Sequence, residues 1–267
     1  MGELNTIMTA LADEVRGLSG ASDKLGIAAM TDTISAANDT IEGQTDLIAE
    51  LKEKVNNLPN NSHDVLLKRE VTSYTNNSVT TIGPGVFYYW QTLKSVSLPE
   101  VTKAGAWSFR QCTALTDVYL PKLKTHETEA FRECSSLESI ELPECTQLKA
   151  TFAYCGKLKN VSVPKVESTD LNTFYNCTSL ESLEFPITFK RILRTNTFNG
   201  CSNLTKIVLP YNGVVSLANI NSFTNTPFAS GQGHIYVPAN QVNNYKTATN
   251  WSTYASVITS MEELDNE

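Results

Sequence analysis

The sequence predicts an α+β protein in which an N-terminal α-helical stem (residues 1–60) precedes a solenoid of short parallel strands (61–267). A phenylalanine recurs about every 22 residues from Phe87 to Phe223, with a similar apolar pattern behind it each time. Residues 3–59 lack this pattern and space their apolar residues like one face of a helix. One unit of the repeat cannot bury its apolar face alone, so consecutive units are expected to stack on one another.

The stem carries a heptad pattern that ends at Pro59. The a positions are Ile27, Ile34, Ile41, Ile48 and Val55, and the d positions are Met30, Ala37, Gln44, Leu51 and Leu58. A row of β-branched a residues favours a parallel coiled coil. The alternative is an intramolecular hairpin with the same residues as its core and a break near Asn38, Asp39 and Gly43. The spacing leaves both interpretations open.

Each unit of the repeat carries the same residue types in the same columns. Three residues after phenylalanine comes cysteine, or Trp90 in the first unit, and three later a leucine. Two apolar residues that flank a polar one follow, and proline closes the unit at Pro99, Pro121, Pro143, Pro164, Pro186 and Pro210. Alternation predicts one short strand per unit with an inward apolar face, and proline ends it because proline cannot donate to a sheet ladder.

The cysteine column has a structural interpretation. Cys112, Cys134, Cys155, Cys177 and Cys201 occupy the same position in successive units, whereas Cys145 lies off the column, in a connecting loop. Cysteine is a small residue that prefers the interior. The column thiols are therefore expected to be buried and reduced.

The pattern F-x-x-C-x-x-L-x-x-I-x-L-P resembles the BspA-like, or Treponema-type, leucine-rich repeats over residues 79–238. The segment Ile235-Tyr236-Val237-Pro238, followed by Tyr245 and Trp251, looks like the terminal rung and cap of that family. Trp90 and Thr226 replace the column cysteine in the first and last units, as is usual for terminal repeats. The resemblance implies a leucine-rich-repeat solenoid that presents a binding surface.

A second resemblance lies in the stem. Leu11-Ala12-Asp13-Glu14-Val15-Arg16 and Gly20-Ala21-Ser22-Asp23-Lys24-Leu25 resemble the head of many virion proteins in phages of gut Firmicutes. It implies a tail fibre or receptor-binding protein, made in the host cytoplasm and built into the phage tail, baseplate or another appendage. Its partners would be other virion proteins, through the stem, and a host cell-surface protein or glycan. The alternative is a bacterial or protozoan BspA-like surface adhesin that mediates protein or glycan binding.

Composition and motifs argue against several other functions. A formal net charge of -7 disfavours nucleic acid as a partner, and no apolar run is long enough for membrane insertion. The histidines His63, His126 and His234 are scattered, so no metal is expected, and no motif implies a cofactor or an activated nucleophile. We therefore expect a protein that is not an enzyme. An acid pair among Glu127, Glu129, Glu262 and Glu263, as in a hydrolase, is the least supported alternative.

Two sets of residues are candidates for binding. The first is the outward stripe between the two strand apolar positions: Ser97, Tyr119, Glu141, Ser162, Glu184 and Val208. In a solenoid such residues stack into a continuous face. The second is the aromatic edge formed by Tyr88 and Tyr89, whose rings suit stacking on sugars or on partner side chains.

The stem is predicted to make the protein a homo-oligomer, and the virion resemblance favours a homotrimer because fibre proteins are commonly three-fold. The mass of the full chain in solution, beside that of a chain beginning at Ser62, checks this. We expect a trimer and a monomer respectively. A monomeric full chain at micromolar concentration would contradict the coiled coil, and an oligomeric shortened chain would assign the contacts to the solenoid.

Overall fold

The computed structural model describes residues 71–266 as stacked units around one continuous apolar core. Each unit contains one strand of three or four residues, which we call its long strand. These strands are β1 (Ser73–Thr75), β3 (Ser95–Ser97), β5 (Asp117–Tyr119), β7 (Ser139–Glu141), β9 (Asn160–Ser162), β11 (Ser182–Glu184), β12 (Lys206–Val208), β13 (His234–Val237) and β14 (Ile258–Ser260). All the observed pairings are parallel, which confirms the predicted repeat of short parallel strands.

The long strands align their central residues. Tyr74 lies opposite Val96 and Val96 opposite Val118, while Ile207 lies opposite Leu183 and Ile235. The strand order is β1-β3-β5, then β7-β9, then β11-β12-β13-β14. Regular ladder pairing is therefore interrupted after β5 and again after β9.

The prediction of one strand per unit was incomplete. A two-residue strand follows the long strand in five units: β2 (Thr81–Ile82), β4 (Lys103–Ala104), β6 (Thr125–His126), β8 (Gln147–Leu148) and β10 (Ser168–Thr169). Only its second residue is buried. Two residues are too few to show an alternating pattern, so the sequence gives little indication of these short strands.

The phenylalanine turns form the opposite wall of the core. Rings from Phe87 to Phe223 stack with centroids 4.8–5.9 Å apart. Each phenylalanine N–H from Phe87 to Phe198 donates to a carbonyl of the following unit, as Phe109 does to Ala130 over 2.8 Å. Ring pairs at this spacing add roughly 0.5–1.5 kcal/mol each beyond their burial.

The column cysteines do more than fill space. Each thiol donates to the phenylalanine carbonyl of the preceding unit over 3.0–3.1 Å, as in Cys134 to Phe109 and Cys155 to Phe131. All six cysteines are buried and none forms a disulfide, which confirms the prediction of reduced thiols. Cys145 also lies in the core, in a separate column with Val101, Leu123 and Val166.

Each turn from Phe87 to Phe198 contains two residues with left-handed backbone, two positions before and two after the phenylalanine, and the Phe223 turn contains only the second. The first column is Gly85, Trp107, Glu129, Ala150, Asn172 and Asn196, and the second is Tyr89, Gln111, Glu133, Tyr154, Asn176, Gly200 and Asn225. This conformation costs a residue with a Cβ roughly 1–2 kcal/mol, and the cost is smallest for asparagine. Apolar periodicity does not reveal these positions.

The ends of the solenoid are covered by aromatic residues. At the N-terminal end, Tyr74 packs edge-on against Phe87, and Trp90 donates its indole N–H to Val71 O over 3.0 Å. The repeat therefore begins earlier than the expected residue 79. At the C-terminal end, helix α1 (Val242–Thr247) and 3-10 turns at Ile220–Phe223, Pro227–Ser230, Ala239–Gln241, Trp251–Val257 and Met261–Asn266 complete the described chain. Trp251 and Tyr254 pack on Phe223, as expected of a cap.

The helical stem, its heptads and the virion-type head lie outside the described residues. Across residues 71–266, no helix has both the length and the apolar character needed to cross a membrane.

The buried thiols predict a loss of stability at alkaline pH. Burial raises the pKa of Cys155 to about 12, against 9.0 for an ordinary thiol, and raises those of Cys134 and Cys177 well above it. Below pH 9 both states hold the thiol proton. Above pH 9 the thiol loses its proton in the unfolded chain but keeps it in the folded protein. The free energy of unfolding therefore falls as pH rises towards 12, by up to about 4 kcal/mol for Cys155.

Urea unfolding under reducing conditions at several pH values between 8 and 10.5 measures this slope. We expect Cys155→Ala to be less stable at pH 8 but to lose less stability as pH rises, and a bulky thiol reagent to label the column only after unfolding. An equal slope in both proteins, or rapid labelling of the native protein, would contradict the burial of this thiol.

Candidate binding surface

Most of the predicted stripe lies together on the outward face of the long strands. Tyr119 is 57% exposed, Glu141, Ser162 and Glu184 are also exposed, and Ser97 is half-buried. Val208 was wrongly included, because only 4% of it is exposed. It lies in register with Tyr236, whose ring is buried beside it, so the stripe ends one unit earlier than predicted.

A second outward column lies before the central strand residue and was missed from the sequence. Its members are Ser95, Asp117, Ser139, Asn160 and Ser182. The strand alternation contains the signal, because residues on both sides of an inward residue point outward. Together with the stripe from Ser97 to Glu184, this column lines a groove of about 700 Å³, which we call the strand groove.

The floor of the strand groove is partly apolar. Val118 and Val161 are half-buried, whereas the equivalent Val96, Ile140 and Leu183 are each 3% exposed. Val118 and Val161 belong to β5 and β9, the strands after which the ladder pairing is interrupted. The interruptions thus coincide with two apolar contact points among polar side chains.

The walls of the strand groove are acidic. Asp117, Glu141 and Glu184 line it, with Lys159 as the single basic residue in the lining. Lys159 lies 3.7 Å from Glu138, which partly offsets its charge. A surface with this balance suits a neutral or basic segment better than an acidic one.

The predicted aromatic edge lies on a phenylalanine turn and does not line the strand groove. Tyr88 and Tyr89 are 43% and 52% exposed, with ring centroids 6.2 Å apart. Trp107 and Tyr154, which the sequence did not single out, are exposed on later turns. They occupy the left-handed positions, which explains why helix or strand periodicity could not place them.

His126 is a core residue. Its Nδ1 lies 2.9 Å from Glu127 O, and Nε2 lies 3.2 Å from the Thr151 hydroxyl. Burial lowers the pKa of His126, so the ring is neutral, donating to the carbonyl and accepting from the hydroxyl. Between residues 71 and 266, no group of three or more His, Cys, Asp or Glu side chains is placed to hold a metal.

The carboxylates considered as an acid pair have separate basic partners. Glu129 contacts Arg110 and Arg132, each over 2.8 Å, and Glu127 lies 3.5 Å from Lys149. Both carboxylates therefore take part in ion pairs that link neighbouring units.

Two solved structures share this fold. A leucine-rich-repeat protein of T. pallidum is 26% identical with a TM-score of 0.54, and the match covers 58% of this chain and 76% of that one. A leucine-rich cell surface protein of Faecalibacterium prausnitzii is 24% identical with a TM-score of 0.51. That match covers 63% of this chain and 55% of that one, so the chain spans about half the length of the second protein.

No curated protein matches the chain. The family model of the BspA type leucine-rich-repeat region matches six copies over residues 70–165 and 148–242. The matched residues coincide with the stacked units, their phenylalanine rings and their column cysteines. The chain therefore belongs to the BspA-type leucine-rich-repeat family.

Proposed function

We propose that the protein is a non-enzymatic binding protein that holds a macromolecular partner in the strand groove. The observation that carries this proposal is the pair of outward columns, which runs from β3 to β11, with Thr75 of β1 at the end of the groove. Six strands at the usual spacing span about 24 Å. A groove that is long and shallow suits an extended protein segment or glycan better than a small metabolite.

The chemistry of the lining supports binding rather than catalysis. Hydroxyl and amide side chains provide hydrogen bonds, Tyr119 provides a large exposed ring, and Val118 and Val161 provide apolar contacts. Interfaces commonly combine an aromatic anchor with a polar surround. The buried column thiols and His126 serve the core.

Two settings for this binding remain open. The N-terminal resemblance over residues 11–25 favours a phage tail fibre or receptor-binding protein, docked to the particle by its stem, with the groove facing the bacterial host. An oligomeric stem would then multiply a weak contact by avidity. The BspA-type repeats favour the alternative, a bacterial or protozoan surface adhesin that binds a protein or glycan of another cell.

The groove is tested with the labelled full chain on two panels of intact cells, gut Firmicutes and mammalian epithelial cells. We expect binding to at least one panel, weakened about tenfold or more by Tyr119→Ala and by Glu141→Lys. Glu263→Lys changes the net charge equally outside the groove and is expected to bind like the parent protein.

The panels also separate the two settings. Binding to bacteria alone supports the virion protein, and binding to epithelial cells supports the adhesin. Equal binding by the parent, Tyr119→Ala and Glu141→Lys proteins would show that the strand groove is not the docking surface.

A further inference from the structure

The left-handed turn positions differ between the two halves of the solenoid. From Asn172 onwards they are asparagine or glycine, the residues that adopt this backbone most easily. In the first four phenylalanine units, Gly85 is followed by residues for which the conformation is costly. Three of these are large aromatics: Tyr89, Trp107 and Tyr154, at φ values of 61°, 58° and 63°.

The strained aromatics do not stabilise the core. Tyr89, Trp107 and Tyr154 are 52%, 47% and 40% exposed, whereas the phenylalanine of each unit is buried. Strain retained at an exposed ring points to a use for that ring outside the fold. Among the described residues before Leu171, every large exposed apolar side chain is aromatic.

An ion-paired network lies between these rings. Arg110 contacts Glu129 at 2.8 Å and Glu133 at 3.6 Å, and Arg132 contacts the same two carboxylates at 2.8 and 2.9 Å. Gln111 donates to Glu133 over 2.8 Å. The charges of the two arginines and two glutamates cancel, so the network is neutral overall. Its hydrogen-bond donors and acceptors are still partly exposed.

The network also fixes one of the rings. The Arg132 guanidinium lies 5.0 Å from the centroid of the Tyr154 ring, and Tyr175 packs edge-on at 5.2 Å. Burial alone would raise the pKa of Glu133, but its hydrogen bonds from Arg132 and Gln111 outweigh burial and lower it. The carboxylate therefore stays ionised and is paired with both arginines before any ligand arrives.

We propose that this surface is a second binding site and that it takes a neutral oligosaccharide. We call it the ring edge: Tyr88, Tyr89, Trp107 and Tyr154, with the network residues Arg110, Gln111, Glu129, Arg132 and Glu133. Aromatic faces stack on the C–H faces of sugar rings, and paired arginine and glutamate side chains hydrogen-bond hydroxyl groups. A neutral ligand leaves the ion pairs intact, whereas a charged one would compete with them.

The extent of the ring edge fits a chain of sugars. Tyr89 and Tyr154 are three units apart, which is about 15 Å at the spacing of adjacent strands. The site lies on the phenylalanine turns, so it is independent of the proposed role of the strand groove.

The experiment is calorimetric titration of the full chain with four neutral hexasaccharides: β-1,4-linked glucose, N-acetylglucosamine and mannose, and α-1,4-linked glucose. A hexamer of galacturonate is the charged comparison. We expect at least one neutral sugar to bind, and the galacturonate to bind more weakly than it.

The chain itself supplies the variants, because asparagine occupies the same columns in later units. Trp107→Asn copies Asn172, and Tyr89→Asn and Tyr154→Asn copy Asn176. Each is expected to weaken sugar binding about tenfold or more while leaving the thermal midpoint unchanged or higher. Tyr119→Ala in the strand groove is expected to leave sugar binding unchanged.

Three outcomes would overturn the proposal. They are the absence of binding to all four neutral sugars, tighter binding of galacturonate, and sugar binding that survives the asparagine variants. Lower thermal midpoints in those variants would show that the rings are kept for the fold, which would remove the argument from strain.

Discussion

The hydrogen bond from a cysteine thiol to the phenylalanine carbonyl of the preceding unit is the contact on which the rest of the structure depends. That carbonyl already accepts the backbone N–H of the residue three positions later, at 3.0–3.3 Å. The thiol supplies a second donor from the next unit at 3.0–3.1 Å. Because a carbonyl oxygen has two lone pairs and no water reaches it in the core, the thiol occupies the second lone pair and ties neighbouring turns together. The stacked rings then set the distance between units, and the long strands follow the same spacing.

A core organised in this way leaves two outward surfaces for function. On the strand side, both flanks of each central residue point outward, which produces the strand groove. On the turn side, the left-handed positions are asparagine or glycine in the later units, whereas most of those in the early units are residues for which this backbone is costly, three of them exposed aromatics. The first surface is a consequence of any stacked strand repeat, whereas the second depends on particular residues in the early units. The residues on the turn side therefore point to a more specific ligand than those of the strand groove do.

Much of the solenoid could be predicted from the sequence because its columns are apolar and periodic. The strand before each proline and the buried cysteines follow from Phe109, Cys134, Pro121 and their equivalents, whereas the aromatic cap was expected from the resemblance of its segment to the family. The second strand, exemplified by Lys103–Ala104, was missed because two residues carry no period. Val208 was misplaced because its burial depends on Tyr236 in the next strand. Trp107 was overlooked because left-handed turn positions have no characteristic pattern of apolar residues. The stem remains a prediction outside the described residues.

The thiol-to-carbonyl bond can be observed directly through the S–H stretching band in the infrared spectrum of the reduced protein. A thiol that donates a hydrogen bond absorbs at a lower frequency than one that does not. The account predicts that the native protein shows the lower-frequency band, that unfolding alters it, and that Cys134→Ala reduces its intensity without shifting the remainder. A native band at the frequency of a non-bonded thiol would contradict the account, because the column cysteines would then be only small apolar residues.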